Sequence, residues 1–266
     1  MARITVPDDH PRKVSLDIRD TVIEGHQSNV LATAGLLAHG RGEAFDYLIG
    51  ERTTAQADAA IRAAVAAMLT AKHPVISVNG NACALVPKDL VSLSELTGAP
   101  LEINLFYYRP EREEAIKTAL LAAGAKIVLG THDRPSATIP ELSSTRRKVD
   151  PDGIGTADVV LVPLEDGDRT EALKRVNKFV LTIDLNPMSR TAICSDITIV
   201  DNIVRALPLM VECAREMKDM SVTDLEQIVS DFSNEENLME SIRLIMEHLE
   251  SKAESSITNI STSGRK

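Results

Sequence analysis

Two polar runs in the second half of the sequence carry the side-chain types that bind a nucleotide. In the first, TIDLNPMSRT, Asp184 and Asn186 follow an apolar run, and Arg190 and Thr191 come soon after. A carboxylate and an amide can pair with the donors and acceptors of a sugar or base, and an arginine can hold phosphate oxygens through two hydrogen bonds. A surface turn around Asn186 and Pro187 explains the same residues without a ligand. The run alone leaves both interpretations open.

The second run, TIVDNIVRA, places Asp201 and Asn202 at the end of another apolar segment. Either residue could simply cap the helix that follows, which is the simpler explanation. If the two apolar segments are neighbouring parallel strands, however, their carboxyl ends lie at the same edge of the sheet, where open α/β folds bind ligands. The two runs together predict one polar crevice.

A third run, AHGRGEAFDYLIGE, sets Arg41 between Gly40 and Gly42. We expect a helix to follow Gly42, so that Arg41 lies at a helix start, where backbone amides favour an anion. The run is not a G-x-x-x-x-G-K-[ST] loop. The sequence also lacks G-x-G-x-x-G, H-E-x-x-H and G-x-S-x-G, the usual signatures of dinucleotide, zinc and serine-nucleophile sites. The six histidines have no metal-ligand spacing, so we predict no metal site built from protein residues alone.

The elements that position these runs alternate along the chain. After Pro74, short apolar segments (PVISVN, LEINLFY, KIVLG, DVVLVPL, FVLTIDL and DITIV) are separated by helix-length segments. This pattern predicts an α/β fold with a doubly wound, mainly parallel Rossmann-like sheet and helical N-terminal and C-terminal segments. We expect Asp8 or Asp9 to cap the first helix. We predict a single α/β domain over residues 1–220, and a C-terminal helical extension with a flexible tail over 221–266.

The C-terminal segment NLMESIRLIMEHLE predicts an amphipathic helix. A helix at the end of a chain must bury its apolar stripe against something, so the stripe suggests either packing on the same chain or contact with a second subunit. The stripe consists of Leu238, Ile242, Ile245, Met246 and Leu249.

The composition excludes several classes of protein. The formal net charge is −10, which disfavours non-specific binding to nucleic acid or to an anionic membrane surface. No apolar run is long enough to cross a bilayer, and the N-terminus has no signal core. Three cysteines without paired spacing indicate reduced thiols, and we expect a cytoplasmic protein.

The blocks DDHPRKVSLDIRD, AHGRGEAFDYLIGE, VNGN, GTHDRP with LSSTRRKVDPDGI, and TIDLNPMSRTA with TIVDNIVRA resemble the archaeal phosphopantothenate synthetases. These enzymes are also called 4-phosphopantoate–β-alanine ligases. The resemblance runs in the same order from about residue 5 to residue 250. It implies a homodimeric ligase of coenzyme A biosynthesis that joins 4-phosphopantoate to β-alanine through an acyl-adenylate, with ATP and Mg²⁺, and releases AMP and pyrophosphate.

The resemblance also implies which residues contact the nucleotide, although it identifies no catalytic residue. For the phosphate of phosphopantoate, Asn79, Arg134, Arg146 and Arg147 are candidates. The positions that match the family's nucleotide-contacting motifs are Arg19, Arg41, Asp184, Leu185, Asn186, Arg190, Thr191, Asn202 and Ile203, with Asp201 as a neighbour.

Two other functions are compatible with a Rossmann-like sheet. A nucleotide-binding oxidoreductase fits the fold, although the missing glycine fingerprint counts against it. A non-catalytic nucleotide sensor, with its C-terminal helices as a partner surface, fits as well. Separate titrations with NAD(P) and with ATP distinguish the first alternative from the ligase, and analysis of products distinguishes the second.

Overall fold

The computed structural model describes residues 6–141 and 147–263 of the protein. Its strands follow the apolar, β-branched runs of the sequence, because such residues pack well in a sheet that is covered on both faces. In chain order the strands are β1 (Pro74–Val78), β2 (Leu101–Ile103), β3 (Val128–Leu129), β4 (Ala137–Thr138), β5 (Lys148–Val149), β6 (Val159–Leu161), β7 (Phe179–Ile183) and β8 (Ile197–Ile199).

Six strands form one parallel sheet in the order β3-β2-β1-β6-β7-β8, and β4 and β5 form a separate antiparallel pair. Ile76 of β1 lies opposite Leu161 of β6, and Ile183 of β7 lies opposite Ile199 of β8. The chain therefore winds outward in one direction from β1 and in the opposite direction from β6. This is the strand order of doubly wound nucleotide-binding folds, and the predicted fold class is confirmed.

Helices cover both faces of the sheet. One apolar cluster joins the sheet to the helices formed by residues 55–70, 87–97, 110–122 and 203–217, and a second joins it to residues 167–175. The helices are α1 (Lys13–Gln27), α2 (Thr33–Ile49), α3 (Ala55–Thr70), α4 (Gly80–Leu85), α5 (Pro87–Thr97), α6 (Pro110–Ala122), α7 (Gly167–Arg175), α8 (Arg190–Cys194), α9 (Ile203–Met217), α10 (Val222–Ser230) and α11 (Asn234–Ser263), with one further helical turn at Pro151–Gly155.

The alanine-rich helix α3 is buried along most of its length. Its small side chains allow α9 and α10 to pack closely against it. A glycine with positive φ follows each of α5 and α6, with φ of +71° at Gly98 and +112° at Gly124. Only glycine adopts such angles without strain.

Three predictions about element ends are wrong. The helix expected after Gly42 begins at Thr33, so Arg41 lies within α2. The helix tolerates both glycines because packing at its C-terminal end outweighs their cost of about 1 kcal/mol each. The first helix starts at Lys13 without a side-chain cap, rather than at an aspartate. The strand in LEINLFY stops at Ile103, and the exposed aromatic residues that follow belong to a loop.

The predicted amphipathic C-terminal helix is present as α11, and the residues of its apolar stripe differ in how deeply they are buried. Leu238 and Ile245 are buried against Ile49 and Leu185 of the same chain, whereas Met246 and Leu249 stay about half exposed. The three cysteine thiols are unpaired, as expected. No helix among the described residues is long and apolar enough to span a membrane. The boundary at residue 220 stays a prediction.

Candidate active site

The winding direction of the sheet reverses between β1 and β6, and a cavity of about 320 Å³ lies at their carboxyl ends. Asn79 follows β1 and Leu164 follows β6, and both line this cavity, which we call the switch-point cavity. Residues Ala32 to Arg41 of the α2 region form its opposite wall. Doubly wound folds bind ligands at this position, because the diverging strands leave a crevice there.

Arg41 lines the switch-point cavity from the middle of α2. Within the described parts of the chain it makes no hydrogen bond or ion pair. The two glycines beside Arg41 leave open space on this side of α2. A Cβ atom added at Gly40 would have no atom within 4 Å, and a Cβ atom added at Gly42 would lie 3.6 Å from Leu185. The guanidinium is therefore available to a ligand, although the site is the side of a helix and not the helix start that the sequence predicted.

Asp184, Leu185 and Asn186 form a tight turn at the end of β7. The Asp184 carboxylate accepts hydrogen bonds from Ser189 Oγ at 2.5 Å and Asn186 N at 2.9 Å. Burial raises the pKa of Asp184, while the hydrogen bond from Ser189 and the nearby charge of Arg41 lower it. Asn186 Oδ1 accepts from the amide of Met188 at 3.0 Å, so the predicted turn is confirmed. Asp184 thus places a partly shielded negative charge near Arg41.

Leu185 contributes packing at this turn rather than a polar contact. Its side chain is buried with Ile49 of α2 and with the buried face of α11. A nucleotide could therefore reach Leu185 only through its backbone. The contact fixes α2 over the carboxyl end of β7.

Arg190 and Thr191 open α8 and have different surroundings. Arg190 is exposed and pairs with Glu171 at 2.7 Å and Asp168 at 2.9 Å, both on α7. Thr191 is buried, and its hydroxyl donates to the Glu165 carbonyl oxygen at 3.0 Å. Thr191 therefore anchors the loop after β6 to α8, and Arg190 would have to leave two carboxylates to bind a phosphate.

Asp201 and Asn202 follow β8 and belong to a buried charged network. Asp201 accepts from Arg205 Nε at 2.9 Å and from Thr53 Oγ1 at 2.6 Å. Asn202 caps α9 and donates from Nδ2 to Asp46 at 2.7 Å. Arg205 also pairs with Asp46 of α2, at 2.5 Å. The simpler explanation of Asn202 as a helix cap is thus correct, and the same residue also lines a cavity.

This second cavity has a volume of about 430 Å³ and lies on another side of α2. Besides Asn202 it is lined by Arg205, Asp46, His39 and Glu43. His39 Nε2 is buried without a partner, and burial lowers the pKa of this histidine. Arg41 and Asn202 therefore line different cavities. The single crevice predicted from the two strand ends stays a prediction, because Asp184, Asn186 and Asp201 line neither of these cavities. Ile203 is fully buried in the core.

Arg19 does not reach the switch-point cavity. Its guanidinium forms two-pronged hydrogen bonds of 2.8 to 3.1 Å with Glu43 of α2. Tyr47 donates to the same carboxylate at 2.7 Å. The hydrogen bond and charge of Glu43 raise the pKa of Arg19. Arg19 therefore ties α1 to α2, and its charge is balanced within the protein.

Two of the candidates for the phosphate of phosphopantoate, Asn79 and Arg134, already have partners within the protein. Asn79 uses its side chain inside the protein, donating to Pro163 O at 2.8 Å and accepting from Ala82 N at 3.0 Å. Arg134 pairs with Asp150 at 2.5 Å and with Asp152 at 3.1 Å. Arg147 is exposed and lines none of the cavities above, and Arg146 lies outside the described residues.

Sequence reasoning missed three charged residues that shape the site. Asp46 and Arg205 were absent from the candidates although they hold Asn202 in place. Arg112, in the first turn of α6, is 8% exposed and lines the switch-point cavity. A positive charge in the first turn of a helix opposes the helix dipole, so Arg112 carried a recognisable signal, whereas Asp46, the partner of Arg205 on α2, lies 159 residues away in sequence.

No group of three or more histidine, cysteine, aspartate or glutamate side chains among the described residues is arranged to hold a metal ion. Magnesium needs no such cluster in nucleotide enzymes, where one carboxylate and the substrate phosphates suffice. The Asp184 carboxylate, close to Arg41, is a ligand of the suitable type.

Comparison with known proteins assigns the family. The family model of phosphopantothenate/pantothenate synthetase matches residues 56–248. A protein of Thermococcus kodakarensis named 4-phosphopantoate–β-alanine ligase is 55% identical over 96% of this chain and 97% of its own. A protein of the same name from Methanosarcina mazei is 50% identical over 93% of this chain and 97% of its own. The chain belongs to the phosphopantothenate/pantothenate synthetase family.

Proposed function

We propose that this enzyme is a 4-phosphopantoate–β-alanine ligase that uses ATP and releases AMP and pyrophosphate. The observation that carries the proposal is near full-length identity of 50% or more to proteins named for this reaction. A ligase needs a nucleotide co-substrate, and the switch-point cavity with its unpaired Arg41 is the arrangement that a doubly wound fold offers to one.

The proposed reaction has two steps. A carboxylate oxygen of 4-phosphopantoate attacks the α-phosphorus of ATP, and the bond to pyrophosphate breaks. The neutral amine of β-alanine then attacks the acyl carbon, and the C–O bond to AMP breaks after the amine has lost a proton. Adenylation is needed because a carboxylate oxygen leaves poorly, whereas AMP leaves well.

In this proposal the protein contributes positioning and charge rather than a covalent intermediate. Arg41 contacts phosphate oxygens of ATP from the wall formed by α2. The Asp184–Asn186 turn contacts the nucleoside, and Thr191 holds the loop after β6. Asn202, kept in place by Asp201, lines the second cavity, so it takes part in the same nucleotide site only if α2 shifts on binding. The Asp184 carboxylate would be the protein ligand of Mg²⁺, which would shield the charge of the phosphates.

Arg19 and Arg190 take part under this proposal only if they change partners on binding. In the structure each is paired with carboxylates of a neighbouring helix. A triphosphate carries more negative charge than the one carboxylate that Arg19 contacts or the two that Arg190 contacts, which favours an exchange of partners.

We also propose a homodimer. Met239, Ile242, Met246 and Leu249 recur on α11 with the three- and four-residue spacing of a coiled-coil seam. Met239, Met246 and Leu249 are 44 to 56% exposed although Leu238 and Ile245 of the same helix are buried. A second copy of α11 would cover this remaining stripe.

The reaction is tested by chromatography of nucleotide products with each substrate omitted in turn. We expect AMP and pyrophosphate only when ATP, Mg²⁺ and 4-phosphopantoate are all present, with sustained turnover when β-alanine is added. ADP and inorganic phosphate would contradict the adenylate route and indicate an acyl phosphate.

The nucleotide contacts are tested by calorimetric titration of variants. Asn186→Ala should weaken ATP binding by about 1–2 kcal/mol, the worth of one or two hydrogen bonds to a ligand. Arg190→Ala should weaken ATP binding less. To bind a phosphate, Arg190 must give up its ion pairs with Glu171 and Asp168, and that cost offsets part of the free energy gained from the phosphate contact. If Arg190→Ala weakens ATP binding more than Asn186→Ala does, the ion pairs between Arg190 and α7 do not persist in solution.

A further inference from the structure

Arg112 is a buried arginine that has no carboxylate partner among the residues the structure describes. Its Nη1 donates to the Tyr107 carbonyl oxygen at 2.5 Å and its Nη2 to the Val30 carbonyl oxygen at 3.1 Å. Its Nε is buried and has no hydrogen-bond partner. The part of the chain that the structure describes gives Arg112 no ion pair. A desolvated charge of this kind is costly unless an anion neutralises it.

The position of Arg112 is fixed by its neighbours. An added Cβ at Gly80 would come to 2.7 Å from Arg112 Nη2 and to 2.4 Å from the carbonyl oxygen of Val30. No other residue type fits between them. Its two carbonyl partners lie in the turn between α1 and α2 and in the loop after β2. The guanidinium is thus held rigidly, which lowers the entropic cost of binding a ligand there.

Arg112 stands where two cavities meet. It lines the switch-point cavity together with Arg41, and it also lines an adjoining cavity of about 750 Å³. The two cavities share Ala32, Ala34 and Tyr107 as well as Arg112. A ligand can therefore extend from Arg41 past Arg112 into the larger space.

The adjoining cavity has further positive character near Arg112. Arg109 lines it, and the charge of Arg109 together with burial lowers the pKa of Arg112. The N-terminus of α2 also opens here, and its cap residue Ala32 offers no side-chain acceptor to the first amides of the helix. The Gly35 amide donates to the Ala32 carbonyl oxygen at 2.8 Å, and the amides that precede it at the start of this 17-residue helix attract an anion. Glu111 is the acidic side chain on the cavity wall.

We propose that Arg112 binds the phosphate of the phosphorylated acid substrate, with Arg109 and the N-terminus of α2 completing the subsite. This inference rests on the proposed ligase function. It places the carboxylate of the substrate toward Arg41, where the α-phosphate of ATP must approach. The subsite favours a phosphate over a single carboxylate, because two arginines and a helix N-terminus match a dianion.

The test is calorimetric binding of 4-phosphopantoate, pantoate and β-alanine, in the absence of ATP, to the full-length protein and its variants. Arg112→Gln should weaken binding of 4-phosphopantoate by about 10- to 100-fold, the worth of hydrogen bonds to a charged group. It should leave binding of pantoate, which has no phosphate, within about two-fold of the original. Arg112→Lys, which keeps the charge, should recover part of the loss. The matched control is Arg243→Gln, on the exposed side of α11, which should change neither.

Several outcomes would overturn the assignment. If the Arg112→Gln variant keeps its secondary structure and still binds 4-phosphopantoate normally, the phosphate lies elsewhere. An equal loss for pantoate and 4-phosphopantoate would make Arg112 a structural residue. A selective loss of β-alanine binding would assign Arg112 to the carboxylate of the amine substrate. If Arg112→Gln does not fold, unaltered 4-phosphopantoate binding by Arg112→Lys together with unaltered binding by Arg109→Gln would refute the proposal.

The experiment separates this inference from the proposed function. If the unaltered enzyme makes 4′-phosphopantothenate while Arg112→Gln binds 4-phosphopantoate normally, the subsite is wrong and the function stands. If the unaltered protein binds 4-phosphopantoate through Arg112 but forms no product with ATP and β-alanine, the subsite stands and the ligase reaction is wrong.

Discussion

Removal of the Asp201 carboxylate should destabilise the protein strongly, and more so when Asp46 is also removed. Asp201 is fully buried and accepts hydrogen bonds from Thr53, from the Asn202 amide and twice from Arg205. Loss of one member of such a network costs about 3–5 kcal/mol, because buried donors are left unpaired. We therefore expect Asp201→Ala to lower the free energy of unfolding by about 3 kcal/mol or more.

The coupling to Asp46 follows from their shared partner. In Asp201→Ala the guanidinium of Arg205 keeps Asp46, and in Asp46→Ala it keeps Asp201. Asp46→Ala alone should therefore cost only about 2 kcal/mol, the worth of its charged hydrogen bonds. The double variant leaves Arg205 with neither carboxylate, so its loss should exceed the sum of the single losses by about 1 kcal/mol.

The assay is urea unfolding followed by far-ultraviolet circular dichroism at one fixed protein concentration. Tryptophan fluorescence is no alternative because the sequence has no tryptophan. Asp219→Ala, at an exposed position just after α9, is the matched control and should stay within about 0.5 kcal/mol of the original. If the double variant loses the sum of the two single losses to within about 0.5 kcal/mol, Asp46 and Asp201 are not coupled through Arg205 and the reasoning is refuted.

Arg41→Ala should raise the KM for ATP about tenfold or more, since a charged hydrogen bond is worth about 1.5–3 kcal/mol. The same variant should leave the midpoint of urea unfolding unchanged. An unaltered KM in steady-state kinetics would place the triphosphate elsewhere. Burial raises the pKa of the Glu102 carboxyl from 4.5 to about 7. The folded protein therefore keeps a proton on Glu102 that the unfolded chain releases, so the free energy of unfolding falls as pH rises from about 4.5 to 7. Glu102→Gln should reduce that fall by about 3 kcal/mol in urea unfolding at pH 5 and pH 8, and an unchanged pH dependence would contradict the raised pKa. Met246→Lys should convert the proposed homodimer to a monomer in light scattering at micromolar concentration, whereas Glu247→Lys, an exposed neighbour on α11, should not. A monomeric unaltered protein would contradict the proposed dimer itself.

The sequence was sufficient to predict the sheet. Each strand of the parallel sheet corresponds to a local run of apolar residues, and α5, α6 and α7 correspond to helix-length segments between them, so alternation alone indicated a doubly wound fold. The short helices α4 and α8 were not predicted. The turn at Asn186 and the cap at Asn202 were also predictable, because these features depend on a few adjacent residues. The resemblance of whole motif blocks identified the family, which composition and spacing could not have done.

The tertiary structure alone decided which charges are available to a ligand. Arg19, Arg41, Arg112 and Arg190 are the same residue type in the sequence, yet Arg19 and Arg190 are neutralised by carboxylates of neighbouring helices and the other two line the switch-point cavity. Whether a guanidinium is paired depends on residues that lie far away along the chain, and the path of α2 over the sheet sets those distances. Coulomb interaction and desolvation follow spatial separation and burial, and neither can be obtained from the spacing of residues along the chain.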